Sequence, residues 1–427
     1  MTTPRVSTPA LWLLLSIVSA GCMSYYLAEI WSANQPPHFN DLYASWWGAH
    51  ELLLHGRNPY SPAVAHEIQN VIYGEVPPSS PQDPAGIGGG FAYPPYTALL
   101  LWPTVYLSFS AAQKIFLGVS VLATLLSLAI WLRLMRFRWS PQIWLAVSVF
   151  VLGSFPTLQA LRLRNPSLLA AAFIAIAIFL LSTDHLILAG VWLALSTFKP
   201  QFTILLVPGL ILWSLSDWRR RRPMVWSFLT TFLLLVSVSE WLVPGWITCF
   251  LRVIRAYRSY TYGHSLLDVW LTPTWGLLVA AGLAVLAFVL CWPHRCEPAN
   301  SPRFLACTGL LLATTLVVIP TLAPHAQLLL LPGVLCLLRG RSHLPSFRLG
   351  RLTVAATWGL LAWPWIASFG MLLAGIWLPA PILRRFWQVP LYTSPILPFA
   401  VMFALAGLVK PASGAGDQTS PLPAGAP

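Results

Sequence analysis

Asp41 is the residue from which chemistry in this chain is most directly argued. It stands in His38-Phe39-Asn40-Asp41-Leu42-Tyr43, just past a first apolar stretch, in a chain where only 9% of residues are charged. The same segment, 38–60, carries Glu51, Arg57, His50 and His55. A carboxyl group near a membrane surface is partly desolvated, which moves its pKa towards that of a useful general base. Aspartate is also favoured at helix N-termini, so a cap is the competing reading. Cationic groups come next. Arg252, Arg255 and Arg258 recur at i, i+3 and i+6 and share one helix face beside Tyr257, Tyr260 and Tyr262. Arg162 and Arg164 precede Asn165-Pro166, and Lys199 sits in Phe198-Lys199-Pro200-Gln201 between apolar stretches, where an uncompensated charge is expensive. Forked guanidinium groups and a buried ammonium suit a lipid-linked phosphate. The arginine row could equally be a solvated face on lipid headgroups. His325, in Pro324-His325-Ala326-Gln327, opens a late helix, where a lone histidine is usually an interfacial residue; His264 is similar but less confined.

The elements that must position these groups are membrane helices. Of 427 residues, 57% are hydrophobic, and apolar runs near twenty residues recur throughout. We expect an all-α polytopic membrane protein with about twelve spans, near 10–30, 115–132, 142–160, 167–182, 186–198, 201–216, 224–243, 270–292, 303–320, 326–339, 352–376 and 390–409. Residues 10–30 read as an uncleaved first helix rather than a signal peptide. Residues 95–108 are short and proline-broken, hence a re-entrant or interfacial helix. Residues 41–55 read as an amphipathic helix lying on the outer surface, with Tyr43, Trp46, Trp47, Leu53 and Leu54 recurring at helical spacing and Gly56 ending it. Residues 1–410 form one domain, in which 31–114 is the first outer loop; 411–427 is a small, proline-rich, disordered tail. Residues 77–90 are expected to be a mobile loop.

The net charge of +13 then sets orientation rather than implying nucleic acid. Arg133, Arg136 and Arg138, Arg219 to Arg222, Arg295, Arg303, and Arg339, Arg341, Arg348 and Arg351 fall in the same set of loops. Most acids, Asp41 among them, fall in the other, which the positive-inside rule makes the outer face. The six cysteines show no CxxC, and inert buried thiols are expected. Cys291, His294 and Cys296 lack a fourth ligand, so no metal site is expected. Walker A, GxSxG, HExxH, GxGxxG and DxD patterns are absent, which argues against a soluble nucleotide-sugar or ATP enzyme. A transporter predicts a repeat between halves and short outer loops, and neither occurs. A lipid-diphosphate polymerase or ligase remains a rival, although such enzymes usually carry their large outer loop late in the chain.

Asp41-Leu42-Tyr43, Gly56-x-Asn58-Pro59-Tyr60, Phe91-x-Tyr93-Pro94-Pro95, Lys199-Pro200-Gln201 and Pro324-His325, in that order, resemble glycosyltransferase family 87; His264-Ser265-Leu266 faintly matches a further element. Where members often read G-Q-x-N or G-Q-x-S, this chain has Leu163-Arg164-Asn165-Pro166-Ser167. The resemblance implies a GT-C fold and a bacterial-type inner (plasma) membrane location, with the active site on the outer, periplasmic face. It also implies an inverting transferase using a polyprenyl-phosphate sugar, notably mannose, as donor to a glycolipid or glycan acceptor. On the matching positions it implies Asp41 as base and His325 as its partner. Lys199, Arg164, Arg252, Arg255, Arg258, Tyr93, Tyr60 and His264 would hold donor and phosphate. Beyond the donor lipid no cofactor is expected.

Overall fold

The computed structural model describes residues 40–74, 83–260, 265–320, 324–340, 348–379, 382 and 393–409. The first expected helix, 10–30, and the tail from 411 lie outside them. Every regular element among the described residues is helical.

The chain opens with α1 (Asp41–His55) and α2 (Pro62–Tyr73). Each ends on a glycine with positive φ, Gly56 at 65° and Gly74 at 76°, a left-handed cap that costs glycine nothing. α1 is not a surface helix. Leu42, Tyr43, Trp46, Ala49 and Leu52 are all buried, because the aromatic side is covered by protein rather than lipid. α3 (Thr97–Val105) lies against it, with Trp46 Nε1 donating to the carbonyl of Thr104 at 3.0 Å. At nine residues α3 is roughly 14 Å long, too short to cross a bilayer, as the proline-broken sequence implied. The second half of the expected mobile loop is fastened down. Asp83 accepts from the backbone N–H groups of Ile87 and Gly88, and Gln69 donates to the carbonyls of Gly86 and Gly88. Side-chain caps of this kind were not visible in a run of glycine and proline.

α4 (Phe109–Leu134) is followed by α5 (Pro141–Leu152) and α6 (Phe155–Arg162), where one straight span was expected; a 59° bend separates them. Next come α7 (Ser167–Ser182), α8 (Leu186–Ser196), α9 (Pro200–Thr203), α10 (Leu206–Leu215) and α11 (Trp218–Leu242). α8 packs against α7 and α11, and α7 against α4. Gly190 makes the α8–α11 contact possible: a Cβ there would lie 2.0 Å from Ser227 Oγ and 2.4 Å from the carbonyl of Met224. The rest comprises α12 (Trp246–Tyr260), α13 (Leu266–Trp270), α14 (Pro273–Cys291), α15 (Pro302–Val318), a seven-residue 3-10 segment (Pro324–Leu330), α16 (Leu331–Arg339), α17 (Arg348–Ala374) and α18 (Leu397–Val409), with short 3-10 turns at Trp292–His294 and Ser394–Ile396.

Among the described residues, three helices are long and apolar enough to cross a membrane: α4, α11 and α14 with its extension to His294; the bent α5–α6 pair makes a fourth if it is one span. Within the most apolar stretches of α11 and α14 only 17% of residues are buried, and Leu233, Leu234, Leu277 and Leu278 stand exposed. Side chains of that kind face lipid. The other apolar helical stretches in the described residues, Leu352–Trp363 of α17 among them, have 10–17 residues, so the twelve expected crossings would require these shorter stretches to cross as well.

The basic loops gather away from Asp41. Arg339 donates to the carbonyl of Met135 at 3.1 Å, tying the 133–138 loop to the end of α16. Arg221 stacks 3.8 Å from the Trp213 ring and donates to the carbonyl of Arg295. At the other end of α4, Gln113 accepts from Asn40 at 3.0 Å. The stretch of α4 from Gln113 to Leu134 therefore places roughly 32 Å between the start of α1 and the 133–138 loop, about the thickness of a hydrocarbon core.

Candidate functional site

The site is assembled at a break between two apolar helices. α6 ends at Leu163, and Arg164 takes φ 52°, a left-handed turn that an arginine enters only when its surroundings hold it there. Its guanidinium supplies the hold: Nη1 donates to the carbonyls of Leu161 at 2.9 Å and Arg162 at 3.0 Å, closing the last turn of α6. Pro166 then starts α7. Between them, Asn165 is buried, and its side-chain oxygen accepts from the N–H of Ser167 at 2.9 Å and from Ser167 Oγ. That local bond pins the amide and points its nitrogen away from α7.

What the amide nitrogen meets is Asp41. Asn165 Nδ2 donates to Asp41 Oδ2 at 2.7 Å, and the Asp41 backbone N–H donates to the carbonyl of Leu163 at 2.7 Å. Two bonds thus fasten the first residue of α1 to one turn. Asn40 settles the competing reading of Asp41 as a cap. Asn40 is the N-cap, its side-chain oxygen accepting from the N–H of Leu42 at 3.0 Å, so the Asp41 carboxylate is released to face the turn.

Two more groups close on the same amide. Lys199, buried in the break between α8 and α9, donates from Nζ to Asn165 Oδ1 at 2.6 Å and to Ser167 Oγ at 3.0 Å. Its ammonium also lies 5.3 Å from the Phe202 ring and 5.9 Å from the Tyr93 ring. His325 arrives on the 3-10 segment, which packs against α6 and α7, and its Nε2 is 3.2 Å from Asn165 Nδ2. Asn165 Oδ1 is already saturated by Lys199 and Ser167, so the amide orientation is fixed and both Nδ2 hydrogens point outward. His325 Nε2 must then accept, which assigns the neutral tautomer with its proton on Nδ1. Asp41 and His325 keep accessible surface while Asn165 and Lys199, at 5% and 4% exposure, do not. The carboxylate and the imidazole thus meet one amide, with the ammonium on its other side. Burial raises the Asp41 pKa from its ordinary value, and the Asn165 hydrogen bond and Lys199 charge partly counter that rise.

The aromatic motifs form a wall of this site. Tyr60 donates to the carbonyl of Tyr93 and packs edge-on against Phe91, 5.5 Å between ring centroids. Tyr96 OH donates to the carbonyl of Thr197, close to Lys199 in the chain, at 2.7 Å. Other expected site residues are not drawn in. Arg164 turns Nη1 to backbone carbonyls and is buried at 4%. Lys199, by contrast, is drawn in, with its ammonium turned to Asn165 and Ser167. Arg252 and Arg255 are exposed on α12; the side chain of Arg258, and His264, lie outside the described residues. Asn165 and Ser167 were missed as site residues, although polar residues at a proline break between apolar runs were a usable signal.

The family model of glycosyltransferase family 87 matches residues 91–320, more than half of the chain. The chain belongs to glycosyltransferase family 87. No curated protein and no solved structure matches it. Membership makes it a glycosyltransferase, and with the lipid-facing helices a membrane-embedded one. The matched stretch contains Tyr93, Arg164, Asn165, Ser167 and Lys199, while Asp41 and His325 lie to either side of it and reach the family segment through Asn165.

Proposed function

We propose that this family member is an inverting transferase that moves a sugar, in our reading mannose, from a polyprenyl-phosphate donor to a lipid-linked or glycan hydroxyl at the outer membrane face. The observation that carries the proposal is the Asp41 carboxylate, held at 2.7 Å by an amide whose oxygen is bound to Lys199. In this reading Asp41 removes the proton from the acceptor hydroxyl. The oxygen attacks the anomeric carbon, the bond from that carbon to the phosphate oxygen breaks, and polyprenyl phosphate leaves with the electron pair. Lys199 keeps Asp41 ionised in its crowded setting, and neutral His325 offers its Nδ1 proton to the acceptor or sugar. The exposed Arg252 and Arg255, with Arg258 and His264, receive the leaving phosphate, and Tyr60 and Tyr93 shape the sugar pocket. No cofactor beyond the donor lipid enters this scheme.

Purified protein in nanodiscs, given labelled polyprenyl-phosphate mannose and a lipid extract of the source cell, tests the reading. Asp41→Asn keeps the volume and removes the base, so kcat is expected to fall by about 100- to 10,000-fold with donor binding retained. Transfer at the wild-type rate in Asp41→Asn would remove Asp41 from the chemistry. No transfer from any polyprenyl-phosphate sugar would overturn the donor assignment.

A further inference from the structure

The far end of α1 holds a second polar cluster that the transfer reaction does not use. Glu51 is buried at 3% exposure, and both neighbouring imidazoles converge on one of its oxygens. His50 Nδ1 lies 3.3 Å and His55 Nδ1 3.5 Å from Glu51 Oε1. The other oxygen is taken: Arg57 Nη1 donates to Oε2 at 2.7 Å. All three ligand-capable atoms fall within 4.8 Å of one another. We propose that His50, Glu51 and His55 form a binding site for a borderline divalent cation of the zinc type, bound through two imidazole nitrogens and one carboxylate oxygen.

The geometry suits such an ion. Metal–ligand bonds of about 2.0–2.1 Å in a tetrahedron put ligand atoms roughly 3.3–3.4 Å apart, and two of the three separations here already match. The third closes by rotating His55, which is half-exposed at the end of the helix. His50 is set in place beforehand, its ring stacked on Trp47 with 5.1 Å between centroids and 6° between planes. Arg57 does for the carboxylate what an outer-sphere hydrogen bond does at a metal centre, fixing which oxygen faces the ion. Charge points the same way. Arg57 is also bonded to Glu67 at 2.6 Å, so two carboxylates share one guanidinium and a negative charge remains to be balanced. Nitrogen-rich ligation favours zinc-like ions over calcium or magnesium, which require oxygen donors. The exposure of His55 leaves the fourth position to water. Ten residues of helix separate Glu51 from Asp41, roughly 15 Å, so this ion takes no part in transfer. It cross-links the last two turns of α1, just before the Gly56 turn that leads into Asn58-Pro59-Tyr60. Sequence reading foresaw no metal here, because the i, i+1, i+5 spacing becomes a cluster only when the helix end and the Arg57 bridge are known.

The test is calorimetric titration of full-length protein, without a histidine tag and stripped with chelator, using zinc chloride alone. One equivalent binding at micromolar affinity or tighter is expected, with magnesium and calcium failing to compete. Cobalt(II) in the same site is expected to show the intense visible absorption of a tetrahedral ion. His55→Gln, at an exposed position that folding does not need, should weaken binding at least about tenfold. Zinc should also protect His50 and His55 of the wild type from diethyl pyrocarbonate. Absence of saturable zinc binding by the wild type, or wild-type affinity in His55→Gln without that protection, would overturn the site.

Discussion

At the scale of single residues, the arrangement turns on Asn165, whose one side chain bonds to Asp41, Lys199 and Ser167 and meets His325. This gives a pH prediction with a definite sign. A general base works only when ionised, so activity is lost as pH falls through the pKa of Asp41, which burial raises above the ordinary carboxyl value. The Asn165 hydrogen bond and the Lys199 charge both lower that pKa. Removing either must raise it further. In Asn165→Ala and in Lys199→Met the acid limb of the kcat/KM profile is therefore expected to move to higher pH. A limb that stays in place in both variants would mean that Asn165 and Lys199 do not tune the ionisation that matters. Asp41 itself was legible as a candidate from its place after an apolar run. Its freedom from capping was not, because whether Asn40 or Asp41 caps the helix depends on backbone angles that no spacing reveals.

At the scale of elements, the site depends on helices that stop early. α6, α8 and the 3-10 segment end or begin at breaks between apolar helices, and Lys199 and His325 converge on the Asn165 that follows Arg164. Prolines at 166, 200 and 324 marked these breaks in the sequence. Their convergence required the α8–α11 and α7–α8 packing that aligns the breaks. Gly190 is where that packing is tightest, since an added Cβ would strike backbone as well as Ser227. Gly190→Ala is expected to lower stability by about 1–3 kcal/mol, seen as a reduced unfolding temperature in nanodiscs. Gly118→Ala on α4, where nothing lies within 4 Å of the new methyl, serves as the control and is expected to hold or gain stability. Equal behaviour of the two variants would show that the α8–α11 contact is looser than the structure has it.

For the whole molecule, α4 acts as a ruler between the Asp41 cluster and the basic loop at 133–138. By the positive-inside rule, Asp41 is expected on the outer side. Single cysteines at exposed Asn70 and Arg138, in a chain with exposed Cys296 replaced by serine, test that orientation. A membrane-impermeant maleimide added to intact spheroplasts is expected to label Asn70→Cys and to spare Arg138→Cys until lysis. The reverse pattern would put the cluster on the inner face. Cys296 needs replacing because it is exposed, against the expectation of buried thiols.

The amino-acid sequence alone determined the class of the molecule: apolar runs bounded by arginines make membrane helices, and ordered short motifs pointed to glycosyltransferase family 87. Those properties are local, since hydropathy, charge and chain order can be read without knowing what touches what. Tertiary structure alone decided how the charged residues divide their work. Arg164 and Lys199 look alike in sequence as cations among apolar residues, yet one closes a turn on carbonyls and the other stands behind Asp41. A buried charge takes its role from whichever partner satisfies it, and that partner lies far away in the chain. Asp41 and Asn165 are 124 positions apart, Asn165 and His325 160 apart, and only the packed helices bring them together.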